Sequence, residues 1–145
     1  MVQKGATVYV LDRQEPIETF PGLKFRRCDV TSWDAMRDVF DEVGQVHLAF
    51  ANAGICDKSP EGYYDDIFDA NGNLLEPEYG IMDINLKAVL NFVKLAWSSM
   101  RKHSVQGSIV ITASSTGLVP EQSAPVYSCS KFAVSMKPYS KTLLS

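Results

Sequence analysis

Apolar residues in this chain occur in two patterns: short continuous runs, and longer stretches in which they recur every three or four positions. The short β-branched and apolar runs predict four strands, at Thr7–Leu11, Leu23–Arg27, Val46–Ala51 and Gly107–Ala113. The helical spacing predicts three helices, at about residues 33–43, about 79–103 and from about 124 onward. Strands that alternate with helices in this way are typical of a parallel sheet in an α/β fold.

The same pattern predicts which positions are buried. The strand at Leu23–Arg27 alternates and is predicted to be an edge strand, whereas several others are apolar enough to be buried on both faces. Thr31 or Ser32 is predicted to cap the first helix. The core sides of the first two helices are predicted to carry Trp33, Met36, Val39 and Phe40, and then Ile84, Ala88, Leu90, Val93, Leu95 and Trp97. The polar stretch from Asp57 to about Glu78 is predicted to be a loop with a small hairpin at Asn71-Gly72-Asn73.

Length and charge limit the classes of partner. With 145 residues the chain can bury a core, and we expect a single domain over residues 1–145, or part of one. A net charge of -3 gives no reason to expect nucleic acid or an anionic membrane as a partner. We expect no membrane span and no signal peptide, because no apolar stretch has the required length or position.

Cysteine and histidine positions bear on the compartment and on metal binding. Cys28, Cys56 and Cys129 are widely spaced and form no CxxC pair, which favours reduced thiols in the cytoplasm over a disulfide framework or a zinc site. His47 and His103, the only histidines, are far apart, which argues against a His-based metal centre or a Ser-His triad. The sequence therefore predicts a cytoplasmic protein without a metal site.

Tyr127 and Lys131 are the strongest chemical signal in the chain. On a helix, residues four apart share one face, so the spacing sets an ammonium group beside a phenol. A phenol beside a positive charge can serve as a proton-transfer group. Ser114 follows a predicted strand thirteen residues before Tyr127 and is the natural third member of the set.

Five features in order along the chain resemble the short-chain dehydrogenase/reductase family, in its single-domain branch. They are Asp12 at a strand end, Asp29-Val30, Asn52-Ala53-Gly54, Asn85 in the long helix, and Ser114 with Tyr127 and Lys131. The resemblance implies a Rossmann-type, doubly wound parallel sheet and NAD(P)-dependent hydride transfer between nicotinamide and a secondary alcohol or ketone. It also implies a small-molecule substrate, and homo-oligomers among the full-length relatives.

The resemblance assigns a role to each catalytic candidate. Tyr127 would be the general acid or base, and Lys131 would favour its phenolate by charge proximity and bond the nicotinamide ribose. Ser114 would hydrogen-bond the reacting oxygen, with its neighbour Ser115 as a competitor for that role. Asn85 would hold a water that links Lys131 to solvent. The structural alternatives are a surface Tyr–Lys pair, and a polar kink produced by Asn85 bonding to nearby backbone.

Cofactor contacts follow from the same resemblance. Asp12 would accept hydrogen bonds from both hydroxyls of the adenosine ribose, which favours NAD over NADP, although Arg13 beside it could accommodate a 2′-phosphate. Asp29 would contact the adenine amino group and Val30 would pack beside the ring. The alternatives are structural: Asp12 would be an ordinary turn residue at a strand end, and Asp29 an ordinary residue that precedes a helix.

The Asn52-Ala53-Gly54 turn completes the expected cofactor site. Asn52 would tie neighbouring strands together through its side chain, and Gly54 would let the backbone approach the cofactor. The alternative is a purely structural turn.

Departures from the family pattern lead us to expect a chain truncated at both ends. The family's first strand and its Gly-rich phosphate loop are absent, as are the last strands, and Pro138 interrupts the final helix. The missing strand belongs between Thr7–Leu11 and Val46–Ala51, so the sheet loses its middle and leaves two half-sheets with unpaired edges. Either those edges pair directly or the chain folds poorly. We expect an NAD-dependent oxidoreductase fragment, or alternatively an inactive product or pseudoenzyme that acts as an interaction module.

Overall fold

The computed structural model of the protein describes residues 1–56 and 63–135. The strands are β1 (Val8–Asp12), β2 (Leu23–Arg27), β3 (Leu48–Ala51) and β4 (Ser108–Ile111). The α-helices are α1 (Trp33–Val43), α2 (Gly80–Met82), α3 (Val89–Lys102) and α4 (Pro125–Ser135). A π-helical segment, Asp83–Ala88, joins α2 to α3, and short 3-10 turns occupy Val2–Lys4 and Ser115–Gly117.

Two parallel strand pairs form the sheet structure. β1 pairs with β2, with Val8 opposite Leu23, and β3 pairs with β4, with Leu48 opposite Ser108. Among the described residues these remain two separate two-stranded sheets, so the two half-sheets expected from the missing strand are present and direct pairing of their edges, one of the two alternatives, does not occur. The pairs are those that strands 3-2 and 4-5 make in a doubly wound sheet, and the predicted incomplete α/β fold is confirmed.

The tertiary contacts divide the chain into two compact units. The first unit contains Met1–Ala53 and Lys87–Thr112, and the second contains Gly54–Leu86 and Ala113–Ser145. The expectation of a single domain over residues 1–145 stays a prediction.

The first unit is built around one apolar cluster. Its buried members come from α1, α3, β3 and the segments that precede α1 and β3: Cys28, Met36, Phe40, Val46, Ala49, Leu95, Ala96 and Met100. Ser32 caps α1 as predicted, because its hydroxyl accepts a hydrogen bond from the Ala35 N–H. Trp33, predicted to be a core residue, is instead exposed, since it lies in the first turn of α1.

The β3–β4 sheet is covered on one face only, which corrects the expectation of strands buried on both faces. Ala49 and Ala51 are buried, whereas Phe50 is 54% exposed and Leu48 and Val110 are also exposed. The alternation arises because the packed face of the sheet contacts α3, and neighbouring residues in a strand point to opposite faces.

The long helix begins at Gly80 and ends at Lys102, close to the predicted bounds, but it is not regular. The π-helical turn of Asp83–Ala88 has more residues per turn than a regular α-helix. Leu90, predicted to be buried, is 60% exposed, while Val89 beside it is buried. Leu90 lies two residues after the buried Ala88, which is about 200° around a regular helix, so it faces away from the buried side.

The predicted hairpin in the polar segment is present. Phe68 and Leu74 form an antiparallel bridge, and Gly72 adopts a positive φ of 81° in the turn between them. The start of the predicted loop, at Asp57, and the predicted helix interruption at Pro138 lie outside the described residues. None of the helices among the described residues has both the length and the apolar character needed to span a bilayer.

Candidate active site

Tyr127 and Lys131 lie one turn apart on α4, within the second unit. Proline opens this helix, where its missing N–H costs nothing and its fixed φ suits the first helical position. The Lys131 Nζ lies 5.7 Å from the centre of the Tyr127 ring, within the range of a cation–π contact. Lys131 is only 6% exposed and Tyr127 is half-buried, so the alternative of a surface Tyr–Lys pair is wrong.

Asn85 is buried in the π-helical segment and holds the chain that follows Gly54. Its Oδ1 accepts from the Ile55 N–H at 2.8 Å, and its Nδ2 donates to the Ile55 carbonyl at 2.8 Å. Nδ2 also donates to Ser130 Oγ at 3.1 Å, which connects Asn85 to α4. The side chain thus bonds across the second unit, and not to nearby helix backbone as the structural alternative supposed.

Gly54 lies against both Asn85 and Lys131. A Cβ at this position would lie 3.2 Å from Asn85 Oδ1 and 3.5 Å from Lys131 Nζ. The absence of a side chain therefore keeps space beside a buried amide oxygen and a buried ammonium group. Space of this kind next to the ammonium suits the close approach of a polar ligand such as a ribose.

Ser114 begins the short turn Ser115–Gly117, and this turn packs against α4. Its hydroxyl accepts from Thr116 Oγ1 at 2.9 Å and from the Thr116 N–H at 3.3 Å, and the side chain is half-buried. Ser115, the competing candidate, is exposed. At Gly117 an added Cβ would lie 2.7 Å from the Lys131 carbonyl oxygen, so the turn contacts the helix through glycine backbone.

The candidate residues for the adenosine end of a cofactor lie in the first unit. Asp12 ends β1 with its carboxylate exposed, and Oδ1 accepts from the Gln14 N–H at 2.9 Å. Asp29 accepts from both the N–H and the hydroxyl of Thr31. These hydrogen bonds hold the pKa of the Asp29 carboxyl below its ordinary value, so the carboxylate remains ionised. Val30 is half-buried and packs against the apolar cluster.

Asn52 ties the ends of two strands together, as expected. Its Oδ1 accepts from the Thr112 hydroxyl at 2.8 Å, and the Thr112 N–H bonds the Ala51 carbonyl at 2.9 Å. Asn52 and Ala53 are exposed at the carboxyl end of β3, the edge of a parallel sheet at which ligands bind in α/β proteins.

Within each unit by itself, the residues present suit one part of a nicotinamide dinucleotide. In the first unit an exposed carboxylate at a strand end suits ribose hydroxyls, and in the second the backbone of Gly54 has no side chain beside the Lys131 ammonium. Among the described residues, no group of three or more His, Cys, Asp or Glu side chains is arranged to hold a metal ion.

The sequence did not single out Ser130, Ile55 or Gly117, although all three shape the site. Ser130 lies between the two motif residues of α4, at a spacing that gives no chemical signal by itself. Its role depends on contact with Asn85, which is distant in sequence.

A family model described as short chain dehydrogenase matches residues 1–140. The chain is 81% identical over 134 residues to the short-chain dehydrogenase/reductase ATR7 of Stachybotrys chlorohalonatus, covering 92% of this chain and 42% of that protein. It therefore spans less than half the length of that relative.

Two solved structures have the same fold over most of the chain. A 4-hydroxyisoleucine dehydrogenase complexed with NADH is 21% identical with a TM-score of 0.73, covering 92% of this chain and 56% of its own. A short chain dehydrogenase/reductase from Burkholderia phymatum in complex with NAD is 26% identical with a TM-score of 0.64, covering 79% of this chain and 39% of its own.

Proposed function

Since the chain belongs to the short-chain dehydrogenase/reductase family, we propose that it forms the proton-transfer site of an NAD-dependent oxidoreductase that acts on a secondary alcohol or ketone. The observation that carries this proposal is the buried Lys131 ammonium 5.7 Å from the Tyr127 ring, with Asn85 and Gly54 beside it. Burial of an ammonium group costs free energy, so a buried lysine beside a phenol favours a chemical role for the pair over a purely structural one.

Tyr127 donates its phenolic proton to the carbonyl oxygen during reduction and takes a proton from the alcohol during oxidation. The Lys131 ammonium stabilises the phenolate, which is left after proton donation in reduction and serves as the base in oxidation, because opposite charges attract strongly in a partly buried site. Ser114 holds the reacting oxygen by a hydrogen bond, and Asn85 holds the loop at Ile55 so that Lys131 keeps its position. Bound nicotinamide cofactor supplies or accepts the hydride.

The cofactor contacts of this proposal are assigned residue by residue. Lys131 and Tyr127 bond the nicotinamide ribose, and Gly54 lets the backbone approach the cofactor. Asp12 accepts from the adenosine ribose, Asp29 contacts the adenine amino group with Val30 beside the ring, and Asn52 and Ala53 belong to the turn that borders the cofactor. The Asp12 carboxylate would repel a 2′-phosphate, which favours NAD over NADP, and the solved relative from Burkholderia phymatum binds NAD.

The three cysteines are all free thiols, in keeping with a reducing compartment, and we place the protein in the cytoplasm as part of the same proposal.

Replacement of the phenol tests the reaction. In an assay that follows NADH consumption with ketones and NAD reduction with secondary alcohols, Tyr127→Phe should lower kcat about 10²- to 10⁴-fold, because it removes the general acid–base group. Tyr9→Phe is the matched control, since it removes a phenolic hydroxyl whose hydrogen-bond partner among the described residues is Lys24. Turnover by Tyr127→Phe equal to that of the control would rule out the proposed role of Tyr127.

A second candidate function is a non-catalytic interaction module. The observation that favours it is the pair of two-stranded sheets, because sheets of this size present edge strands able to pair with another chain. This candidate predicts a stable complex when the protein is mixed with a full-length relative, detectable by size-exclusion chromatography, without any binding of nicotinamide cofactor.

A further inference from the structure

Ser130 is a fully buried hydroxyl that lies directly between the two motif residues of α4. Its Oγ donates to the Tyr127 backbone carbonyl at 2.7 Å and accepts from Asn85 Nδ2 at 3.1 Å. Buried hydroxyls are nearly always hydrogen-bonded, but this one has both of its partners within the candidate site.

The direction of these hydrogen bonds follows from which groups can donate and which can only accept. A backbone carbonyl only accepts, so the Ser130 proton points to Tyr127 and an Oγ lone pair faces Asn85. The NH2 group of Asn85 must therefore face Ser130. Its Oδ1 then meets the Ile55 N–H, and its second N–H meets the Ile55 carbonyl. The two Ile55 bonds require this same orientation, and the bond to Ser130 anchors the oriented amide to α4.

This orientation matters for Lys131. Asn85 Oδ1 and Lys131 Nζ both border the space beside Gly54, so the amide presents its negative end toward the region that holds the ammonium. The opposite orientation would bring an NH2 group there, with the same sign of charge as the ammonium. Loss of the Ser130 hydroxyl removes the bond that anchors this amide to α4 and leaves only the two Ile55 bonds to hold it in place.

We propose that Ser130 is a positioning residue that fixes the Asn85 amide, and through it the loop at Ile55 and the ammonium of Lys131. This inference rests on the proposed function for its effect on turnover. Its structural part, the orientation of Asn85, can be tested without any reaction.

The structural test compares two buried serines of the same helix. Ser128 is also buried, but its hydroxyl bonds the Glu121 backbone and not Asn85. In hydrogen exchange followed by NMR, Ser130→Ala should speed exchange of the Ile55 amide about tenfold, because the acceptor Asn85 Oδ1 is no longer held. Ser128→Ala should leave the Ile55 amide within about twofold of the unchanged protein. Equal Ile55 exchange in the two variants would overturn the proposal.

A conservative variant guards against a general loss of folding. Ser130→Thr keeps a hydroxyl that can bond the carbonyl three residues earlier in a helix, so Ile55 exchange should return toward that of the unchanged protein. If Ser130→Thr folds but exchanges as fast at Ile55 as Ser130→Ala does, the hydroxyl is not the cause and the proposal is wrong.

The catalytic consequence has a separate readout. Ser130→Ala should lower kcat about ten- to hundredfold with little change in KM for substrate, because misplaced catalytic groups affect the reaction step more than substrate binding. An unchanged kcat in Ser130→Ala would contradict the proposal. Absence of turnover in the unchanged protein would instead count against the proposed function, and the Ile55 exchange would still decide the role of Ser130.

Discussion

Lys131 is 6% exposed, a degree of burial that lysine rarely reaches without partners. The i,i+4 spacing in the sequence was enough to predict that Lys131 and Tyr127 share a helix face. The burial of Lys131 was not predictable in this way, because it depends on distant parts of the chain, among them Gly54, where an added Cβ would lie 3.5 Å from Lys131 Nζ. Sequence spacing determines which residues are neighbours along a helix, whereas the burial of a residue depends on segments that are distant in sequence and pack against it.

The cysteines provide a residue-scale prediction with a pH dependence. Burial raises the pKa of the Cys28 thiol, and the Asp29 carboxylate raises it further, whereas Cys56 and Cys129 are exposed. A raised pKa means less thiolate at neutral pH, so Cys28 should react with a disulfide reagent at least about tenfold more slowly than the other two. Its rate should increase as the pH approaches the raised pKa.

Peptide mapping after timed labelling at neutral pH measures each thiol separately. Denatured protein is the control, because there all three cysteines should react at similar rates. Labelling of Cys28 as fast as Cys129 in the folded protein would contradict the burial of Cys28 in the apolar cluster.

At the scale of elements, local signals predicted the isolated parts well. β2 has the predicted bounds, Ser32 is one of the two residues predicted to cap α1, and the hairpin around Gly72 is present. Each of these depends on a few consecutive residues. The π-helical segment and the exposed face of the β3–β4 sheet were missed, because they depend on packing between distant parts of the chain.

The close contact of the Ser114 turn with α4 yields an element-scale prediction. A Cβ at Gly117 would lie 2.7 Å from the Lys131 carbonyl oxygen, and backbone cannot yield as a flexible side chain can. Gly117→Ala should therefore lower the free energy of unfolding by about 1–3 kcal/mol, in the range expected for overpacking. It should also reduce turnover, since the turn that carries Ser114 must move.

Gly80→Ala is the matched control for the second unit. A Cβ at Gly80 meets no atom within 4 Å, and alanine favours helix, so stability should be unchanged or slightly higher. Urea denaturation of both variants measures the difference. Similar midpoints for Gly117→Ala and Gly80→Ala would contradict the contact between the turn and α4.

At the scale of the whole molecule, alternation of strands and helices was enough to predict a parallel α/β fold, and the ordered motifs carried the resemblance to the family. The strand pairs β1–β2 and β3–β4 are parallel as expected, and the first unit has its own apolar core. Sequence order did not decide whether β1 and β3 would pair directly, because strand pairing is a contact between segments far apart in the chain. The chain spans 42% of the length of ATR7, so the reaction of a whole enzyme remains a proposal.

Titration of the 145-residue protein with NADH, followed by nucleotide fluorescence, tests the central claim most directly. We expect saturable binding with a Kd in about the micromolar range, weakened about tenfold by Lys131→Met but unchanged by Lys102→Met, which removes an exposed charge at the end of α3. Circular dichroism of each protein would establish that it is folded. A folded protein that binds no NADH would contradict the account and leave the interaction module as the better function.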